Sequence, residues 1–284
     1  MEAKLNLKLI SNTPDPERLV ATAASLCYSD KSIDEIIKSM TLSEAKKLIT
    51  MLDEMGHDSV FEHVSFTFGI EGVSRILLAQ LTRHRISSYS VRSQRYVPEI
   101  YFKYIIPEDI KKFELEQSYI ESIERNQQEY NCMVDALMYE YLVNHIRYHD
   151  HNKYNEYLLD KKSLSFDSNN YLVDNIPYLK GNKLYNKFLK RAIENSRYLL
   201  PGACETKIIM TINARSLFNL FGLRSCFRAQ DEIWRLIITM IKEVKKVAPN
   251  IFANSGPECL SDKCKQKAMS CGRQEEIKKI IKGE

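Results

Sequence analysis

Near the start of the chain Leu5, Leu7 and Leu9 alternate with polar neighbours, which predicts a short half-buried strand. Pro16 and Glu17 then open a helix expected to run through Tyr28, with Cys27 at its end. Thr41-Leu42-Ser43-Glu44 reads as a capping box before a helix over 45–55, and Gly56 is a natural stop. Val64, Phe66, Phe68 and Ile70 alternate strictly with smaller or polar residues, so a strand with one face in the core is predicted. His57, Ser59, Glu62 and His63 fall in the turn that enters this strand, where side chains can reach a ligand. From Ser74 to about Arg83 the apolar positions Ile76, Leu77 and Leu81 have helical spacing, and Gln80, Arg83 and His84 would share one face. A loop should leave that helix, with Pro98 marking a boundary before residues 100–106.

The character of the chain changes over 101–200, where thirteen of its sixteen tyrosines fall among many Asn, Lys and Glu. A single long helix is expected over about 113–143, and a second over about 183–200 ending at Pro201. The stretch 148–182 is polar and low in periodicity, and reads as a loop or a poorly ordered excursion. Residues 207–212 are rich in β-branched side chains and predict a strand. Asn213 is well placed to cap a helix over 214–221, with Gly222 at its end. The last long helix, about 229–247, should bury Ile233, Leu236, Ile237, Met240, Ile241 and Val244 before Pro249. Beyond it lies a loop-rich tail, about 250–284, with Cys259, Cys264 and Cys271.

With 284 residues, 44% of them apolar, the chain can bury a good core as one domain or one domain plus an insertion. A net charge of +4, from 41 basic and 37 acidic residues, suits an anionic small ligand without demanding DNA. Met1-Glu2-Ala3-Lys4 leads straight into the first strand, so no signal peptide is expected, and no apolar run approaches the ~18 residues of a membrane helix. Seven cysteines without an export signal favour free thiols in a reducing cytoplasm. The tail cysteines, with four and six residues between them, have no adjacent His and no C-x-x-C, so free surface thiols and no metal site are expected. With nine glycines in all, the chain contains neither a G-x-G-x-x-G turn nor a G-x-x-x-x-G-K-[ST] phosphate loop.

One stretch concentrates chemistry. Residues 83–95, from Arg83-His84-Arg85 through Ser87, Ser88 and Ser90 to Arg92-Ser93-Gln94-Arg95, hold four arginines and a histidine with no lysine and no acid. Arginine alone suggests planar, forked donors aimed at a phosphate or carboxylate, and the serines and Gln94 add neutral groups that can orient a ligand. From composition alone a surface helix end or a nucleic-acid patch fits equally well.

The order of residues separates these readings. Arg83-His84-Arg85, seven residues, Ser93, one residue and Arg95 resemble the signature of the flavin-dependent thymidylate synthases. Upstream, Gly56-His57-Asp58-Ser59-Val60-Phe61-Glu62-His63 looks like that family's flavin-side segment. Downstream, Thr211-Ile212-Asn213-Ala214-Arg215-Ser216-Leu217, Leu223-Arg224 and Ala229-Gln230-Asp231-Glu232-Ile233 resemble its second half. The resemblance implies an α+β fold, an antiparallel sheet with packed helices, in a single domain over 1–284 with a largely helical insertion at about 113–195. It implies reductive methylation of dUMP to dTMP, with 5,10-methylenetetrahydrofolate as carbon donor and NADPH reducing bound FAD. It also implies a cytoplasmic homotetramer whose active sites are shared between chains.

By the same resemblance Ser59, Glu62, Arg83, His84, Arg85, Asn213, Arg215 and Asn219 contact the flavin. Gln80, Arg83, Arg92, Ser93, Gln94, Arg95, Arg197 and Arg224 contact dUMP. Arg224 is implied to lie beside the uracil ring, where its charge favours ionisation of the ring N–H and raises the nucleophilicity of the neighbouring carbon. Read without the resemblance, Asn213 is a helix cap, Asn219 a solvated side chain and Arg197 an exposed helix-end arginine. The classical thymidylate synthases attack uracil with a cysteine between Pro and His, and no cysteine here has that setting, which fits a route without a covalent thiol. Two positions depart from the family pattern: Val91 stands where Glu or Gln is usual, and Cys27, expected to be packed, where relatives can carry Ser. They leave open a flavin-binding relative without synthase activity.

Overall fold

Period-two burial builds the sheet. In the computed structural model, which describes residues 1–149, 183–260 and 264–282, four strands pair: β1 (Asn6–Asn12), β2 (Ser65–Ser74), β3 (Ser87–Val91) and β4 (Glu205–Asn213). The order is β1-β2-β4-β3 and every pair is antiparallel. Phe66, Phe68 and Ile70 of β2 and Ile208, Met210 and Ile212 of β4 turn to one face and are buried, each such side chain contributing about 1.5–3 kcal/mol. A bulge between Ile70 and Val73 places Gly72 at φ 69°, where a Cβ would run into the Lys4 carbonyl.

The chain forms two compact units: Ala3–Val91 with Glu205–Glu284, and Met1–Glu2 with Arg92–Cys204. The first contains the sheet, α1 (Pro16–Leu26), α2 (Ile33–Ser39), α3 (Leu42–Met55) and α4 (Arg75–Leu81). The capping box of α3 forms as read, Thr41 and Glu44 bonding each other's backbone N–H, and Gly56 ends the helix at φ 69°. The helix α2 was not anticipated, although Ser32 and Glu35 make a second capping box there. Helix α1 ends at Leu26, and Cys27, expected to be packed, is an exposed C-cap. Helix α4 stops at Leu81, so Arg83 and His84 lie in the turn beyond it, and Ile76 is 53% exposed. The predicted loop after α4 contains β3, which pairs with β4 from Ser87↔Ile212 to Val91↔Ile208. Tyr89 and Val91 pack against the sheet core, so a β-branched residue at 91 occupies a strand position facing apolar neighbours.

Among its described residues this unit also holds the α-helices α8 (Ala214–Arg224), α9 (Asp231–Val247) and α10 (Gln274–Lys282). Helix α8 continues through Gly222, the expected stop, to Arg224, because buried Leu220 and Phe221 hold its last turn and Ser225 caps it. Helix α9 buries all six residues predicted for it and Ile238 as well. Its first turn is tied to the β2–α4 junction by Glu232, whose carboxylate accepts from the Ser74 N–H and hydroxyl at 2.6 Å each. The expected loop-rich tail ends in α10, which buries Ile277 and Ile281, and Cys259, expected at the surface, is buried.

The other unit holds α5 (Glu108–Lys112), α6 (Glu116–His149), α7 (Lys183–Ser196) and a 3-10 turn at Arg197–Leu199. The long helix predicted over 113–143 begins at Glu116 and includes Tyr148 and His149; the rest of the 148–182 stretch lies outside the described residues. Tyr130, Val134, Met138, Leu142 and Val143 of α6 pack with Ala192 of α7. Among the described residues no helix is long and apolar enough to cross a membrane.

Candidate active site

Three chain segments that are remote in sequence end at one cleft in the sheet-bearing unit. The first is a 3-10 segment, Asp58–His63, between α3 and β2. Its Phe61 is fully buried, edge-on to Phe218 of α8 at 5.1 Å, which pins the segment and leaves Glu62 exposed. The second is the turn after α4, where the Arg83 and His84 N–H groups donate to the carbonyls of Gln80 and Leu81. Tyr89 of β3 bonds back to this turn, its hydroxyl lying 2.9 Å from both the Leu81 and His84 carbonyls. The third is the β4–α8 junction. Asn213 Oδ1 accepts the Ser216 N–H at 2.8 Å, and the Ala214 N–H donates to the Val64 carbonyl at 2.9 Å. Burial of Ala214, Leu217, Leu220 and Phe221 leaves Arg215, Asn219 and Leu223, spaced by four, on the other face of α8.

The cleft has a volume of about 570 Å³ and is lined by Glu62, Arg83, His84, Arg85, Asn213, Arg215, Asn219 and Arg224, with Ile86, Ser87, Ser216 and Leu223 between them. All eight of the first group are residues singled out from the sequence. Arg215 Nε lies 3.1 Å from Asp58 Oδ2, which fixes its direction. Among the described residues no carboxylate pairs with Arg83, Arg85 or Arg224. With four guanidinium groups facing two carboxylates, Glu62 and Asp58, the cleft favours an anion.

Arg224 Nε–H donates to His84 Nε2 over a long 3.4 Å, which leaves the ring proton on Nδ1. Burial, reinforced by the Arg224 charge, pushes the His84 pKa below its ordinary 6.5, so the imidazole is neutral at pH 7. A neutral ring beside a cationic guanidinium orients the arginine without neutralising it.

Other predicted residues lie elsewhere. Ser59 is exposed on the 3-10 segment and Gln80 half-buried on α4, and neither lines the cleft. His57 borders a larger hollow of about 800 Å³ walled by α1, α2 and α3. That hollow is lined mainly by apolar side chains such as Met40, Leu48, Met51 and Leu52, so we place the site in the smaller cleft, where donors converge. Arg92, Ser93, Gln94, Arg95 and Arg197 belong to the other unit. There Arg92 pairs with buried Glu99 at 3.2 Å and Arg95 with Glu194 at 2.8 Å. Ser93 Oγ accepts the Arg95 N–H at 3.2 Å, and Gln94 Nε2 lies 3.6 Å from Cys204 Sγ. Among the described residues Arg95 Nε is buried without a hydrogen-bond partner, and Arg197 lies over the Tyr198 ring at 5.9 Å.

Sequence reasoning passed over Asp58 and Tyr89. Asp58 stands inside the Gly56–His63 block, and its partner Arg215 lies more than 150 residues away, so only the fold joins them. Among the described residues no three His, Cys, Asp or Glu side chains are grouped to hold a metal ion.

Residues 8–250 match the profile of a family described as thymidylate synthase complementing protein, which leaves the tail from 251 outside the match. The chain is similar to the flavin-dependent thymidylate synthase of Clostridium tetani, 43% identical over 277 residues, or 97% of this chain and 96% of that protein. It is also similar to that of Geobacter sulfurreducens, 36% identical over 281 residues with 98% of each chain covered. The similarity to that of Sulfolobus acidocaldarius is 35% over 258 residues, 90% of this chain and 78% of the relative.

Proposed function

The chain belongs to the thymidylate synthase complementing protein family, and on that membership we propose that it is a flavin-dependent thymidylate synthase. It converts dUMP to dTMP with 5,10-methylenetetrahydrofolate as carbon donor, FAD as cofactor and NADPH as reductant. The observation that supports this best is the convergence of Glu62, Arg83–Arg85, Asn213–Asn219 and Arg224 on one cation-rich cleft from three separate segments.

That donor set fits a flavin dinucleotide: guanidinium groups for the pyrophosphate, Asn213 and Asn219 as neutral donors, and Glu62 as an acceptor. In this reading Ser59, Glu62, Arg83, His84, Arg85, Asn213, Arg215 and Asn219 hold FAD. When bound and reduced, the flavin supplies the hydride that completes the methyl group. Gln80, Arg83, Arg92, Ser93, Gln94, Arg95, Arg197 and Arg224 hold dUMP, with Ser93 and Arg95 on the phosphate. Arg95 and Arg92 already face carboxylates, so a phosphate would compete with Glu194 and Glu99 for them. Arg224 acts on the uracil ring, its charge favouring loss of the ring proton and so making the adjacent carbon more nucleophilic.

The enzyme is read as one functional domain that assembles as a cytoplasmic homotetramer with active sites completed by neighbouring chains. Among the described residues the seven cysteines form no disulfide, which suits that compartment. The test is direct. Purified protein should be yellow, should bleach with NADPH, and should form dTMP when dUMP and methylenetetrahydrofolate are added. A flavin-loaded protein that forms no dTMP would overturn the reading.

A further inference from the structure

Arg224 is the last residue of α8, so its direction depends on the residues just beyond the helix. Ser225 is fully buried and donates its hydroxyl to the Phe221 carbonyl at 2.5 Å. A turn closed by the Ala229 N–H on the Cys226 carbonyl at 2.8 Å comes next. Trp234 of α9 donates its indole N–H to the Ser225 carbonyl at 3.0 Å, and its ring stacks on Phe227 at 5.4 Å and 26°.

The tail grips the same turn. The Arg273 guanidinium lies 3.8 Å from the centroid of the Phe227 ring, and Arg228 donates to Gln266 Oε1 at 2.9 Å. Arg273 is itself aimed by Glu276, through bonds of 2.7 and 2.5 Å. The tail has firm anchors of its own: Ile277 and Ile281 are buried, and Gln274 Nε2 donates to the Cys259 carbonyl at 2.5 Å. Gly256 lets Leu260 and Ile281 pack where a Cβ would collide with both.

We propose that the tail is a strap that fixes Arg224 for the reaction, with Arg273 and Gln266 as positioning residues that act through Phe227 and Arg228. This rests on the proposed role of Arg224 at the uracil ring. The last turn of a helix frays unless the residues after it are held, and a guanidinium displaced by about 1 Å can cost up to about a hundredfold in rate. Here the residues immediately after Arg224 are fixed by the indole hydrogen bond, a ring stack, a cation–π contact and the Arg228–Gln266 hydrogen bond, the last two made with the tail.

The experiment crosses Arg273→Ala with Arg224→Ala in the flavin-loaded enzyme, with Arg273→Lys and Gln266→Ala alongside. Trp234 is the chain's one tryptophan, so its emission reports on the strapped turn directly. Arg273→Ala should shift that emission to the red and lower kcat about tenfold, leaving flavin content and bleaching by NADPH unchanged. Arg273→Lys, which keeps a cation for the ring, should recover most of the rate, and Gln266→Ala should lower kcat in the same way. In the Arg224→Ala background, Arg273→Ala should cost nothing further. A red-shifted Trp234 with undiminished kcat, or an equal loss in both backgrounds, would overturn the strap alone. Wild-type turnover by Arg224→Ala would overturn the role of Arg224 and the strap with it.

Discussion

Asn213 can be asked which of two jobs it does. Its Oδ1 caps α8 by accepting the Ser216 N–H at 2.8 Å, and the same residue lines the cation-rich cleft. The cap uses the oxygen, so the amide Nδ2 is the end that can donate to a bound anion. Asn213→Asp keeps the capping oxygen and adds a charge that the helix N-terminus favours, so the fold should hold or gain slightly. Asn213→Ala removes the cap at a cost of about 1 kcal/mol, a fall of about 2–4 °C in Tm for a chain of this size. Flavin binding should rank the variants differently. Both lose the amide donor, and a hydrogen bond to a charged group contributes about 1.5–3 kcal/mol, roughly ten- to a hundredfold in Kd. Asp also brings a carboxylate into a cleft that should receive an anion, so Asn213→Asp should bind flavin at least as poorly as Asn213→Ala while melting higher. Thermal melts paired with flavin titrations followed by fluorescence quenching would measure both. An Asp variant that binds flavin as tightly as wild type would refute a ligand role and leave Asn213 a cap.

Arg224→Ala should lower dTMP formation by about 10²–10³-fold while the protein stays yellow, because in the proposed role the lost cation acts on the nucleotide and not on flavin retention; turnover within a fewfold of wild type would contradict it. Arg95→Ala should weaken dUMP binding by about 2–3 kcal/mol, seen as a raised KM for dUMP at little-changed flavin content. Asp58→Asn breaks an ion pair that is 41% and 35% exposed at its two ends, so stability should change by less than about 1 kcal/mol. Flavin affinity should nevertheless fall, since Arg215 loses the carboxylate that aims it; an unchanged Kd would sink the idea. The folded-state pKa of His84 lies below its ordinary 6.5, so the folded cleft resists a proton that the unfolded chain accepts. The neutral ring therefore costs the fold nothing above about pH 6.5, and stability falls as pH drops below that value toward the folded pKa. Tm measured from about pH 7 to about pH 5 should decline more steeply for wild type than for His84→Gln.

Features set by local rules were legible in the chain, and features made by distant pairing were not. The box at Thr41 and Glu44 and the stop at Gly56 involve neighbours a few residues apart, and both form as read. The equivalent box at Ser32 and Glu35 was as visible, and Ile33, Ile36 and Ile37 follow it at helical spacing, but α2 is only seven residues long and buries Ile36 alone of the three. Strand β3 has two sizeable apolar side chains, Tyr89 and Val91, among serines, and it is a strand because β4 lies beside it more than 100 residues later. At Gly222 the local signal pointed the wrong way: the helix passes through because Phe221 is buried and the Ser225 cap holds the turn beyond it.

The same division runs through the site. Residue order alone singled out eight of the twelve side chains that line the cleft, since their chemical types recur in a recognisable sequence of blocks. It could not reveal that Arg215 answers to Asp58, that Arg92 and Arg95 face Glu99 and Glu194, or that His84 accepts a bond from Arg224. Those pairings decide how each cation is used. An arginine already held by a carboxylate is aimed but partly neutralised, whereas one held by a neutral histidine keeps its whole charge for a ligand. By that criterion, among the described residues lining the cleft Arg224 is the cation held by a side chain without loss of charge, which is what its proposed role of polarising a weakly acidic ring requires.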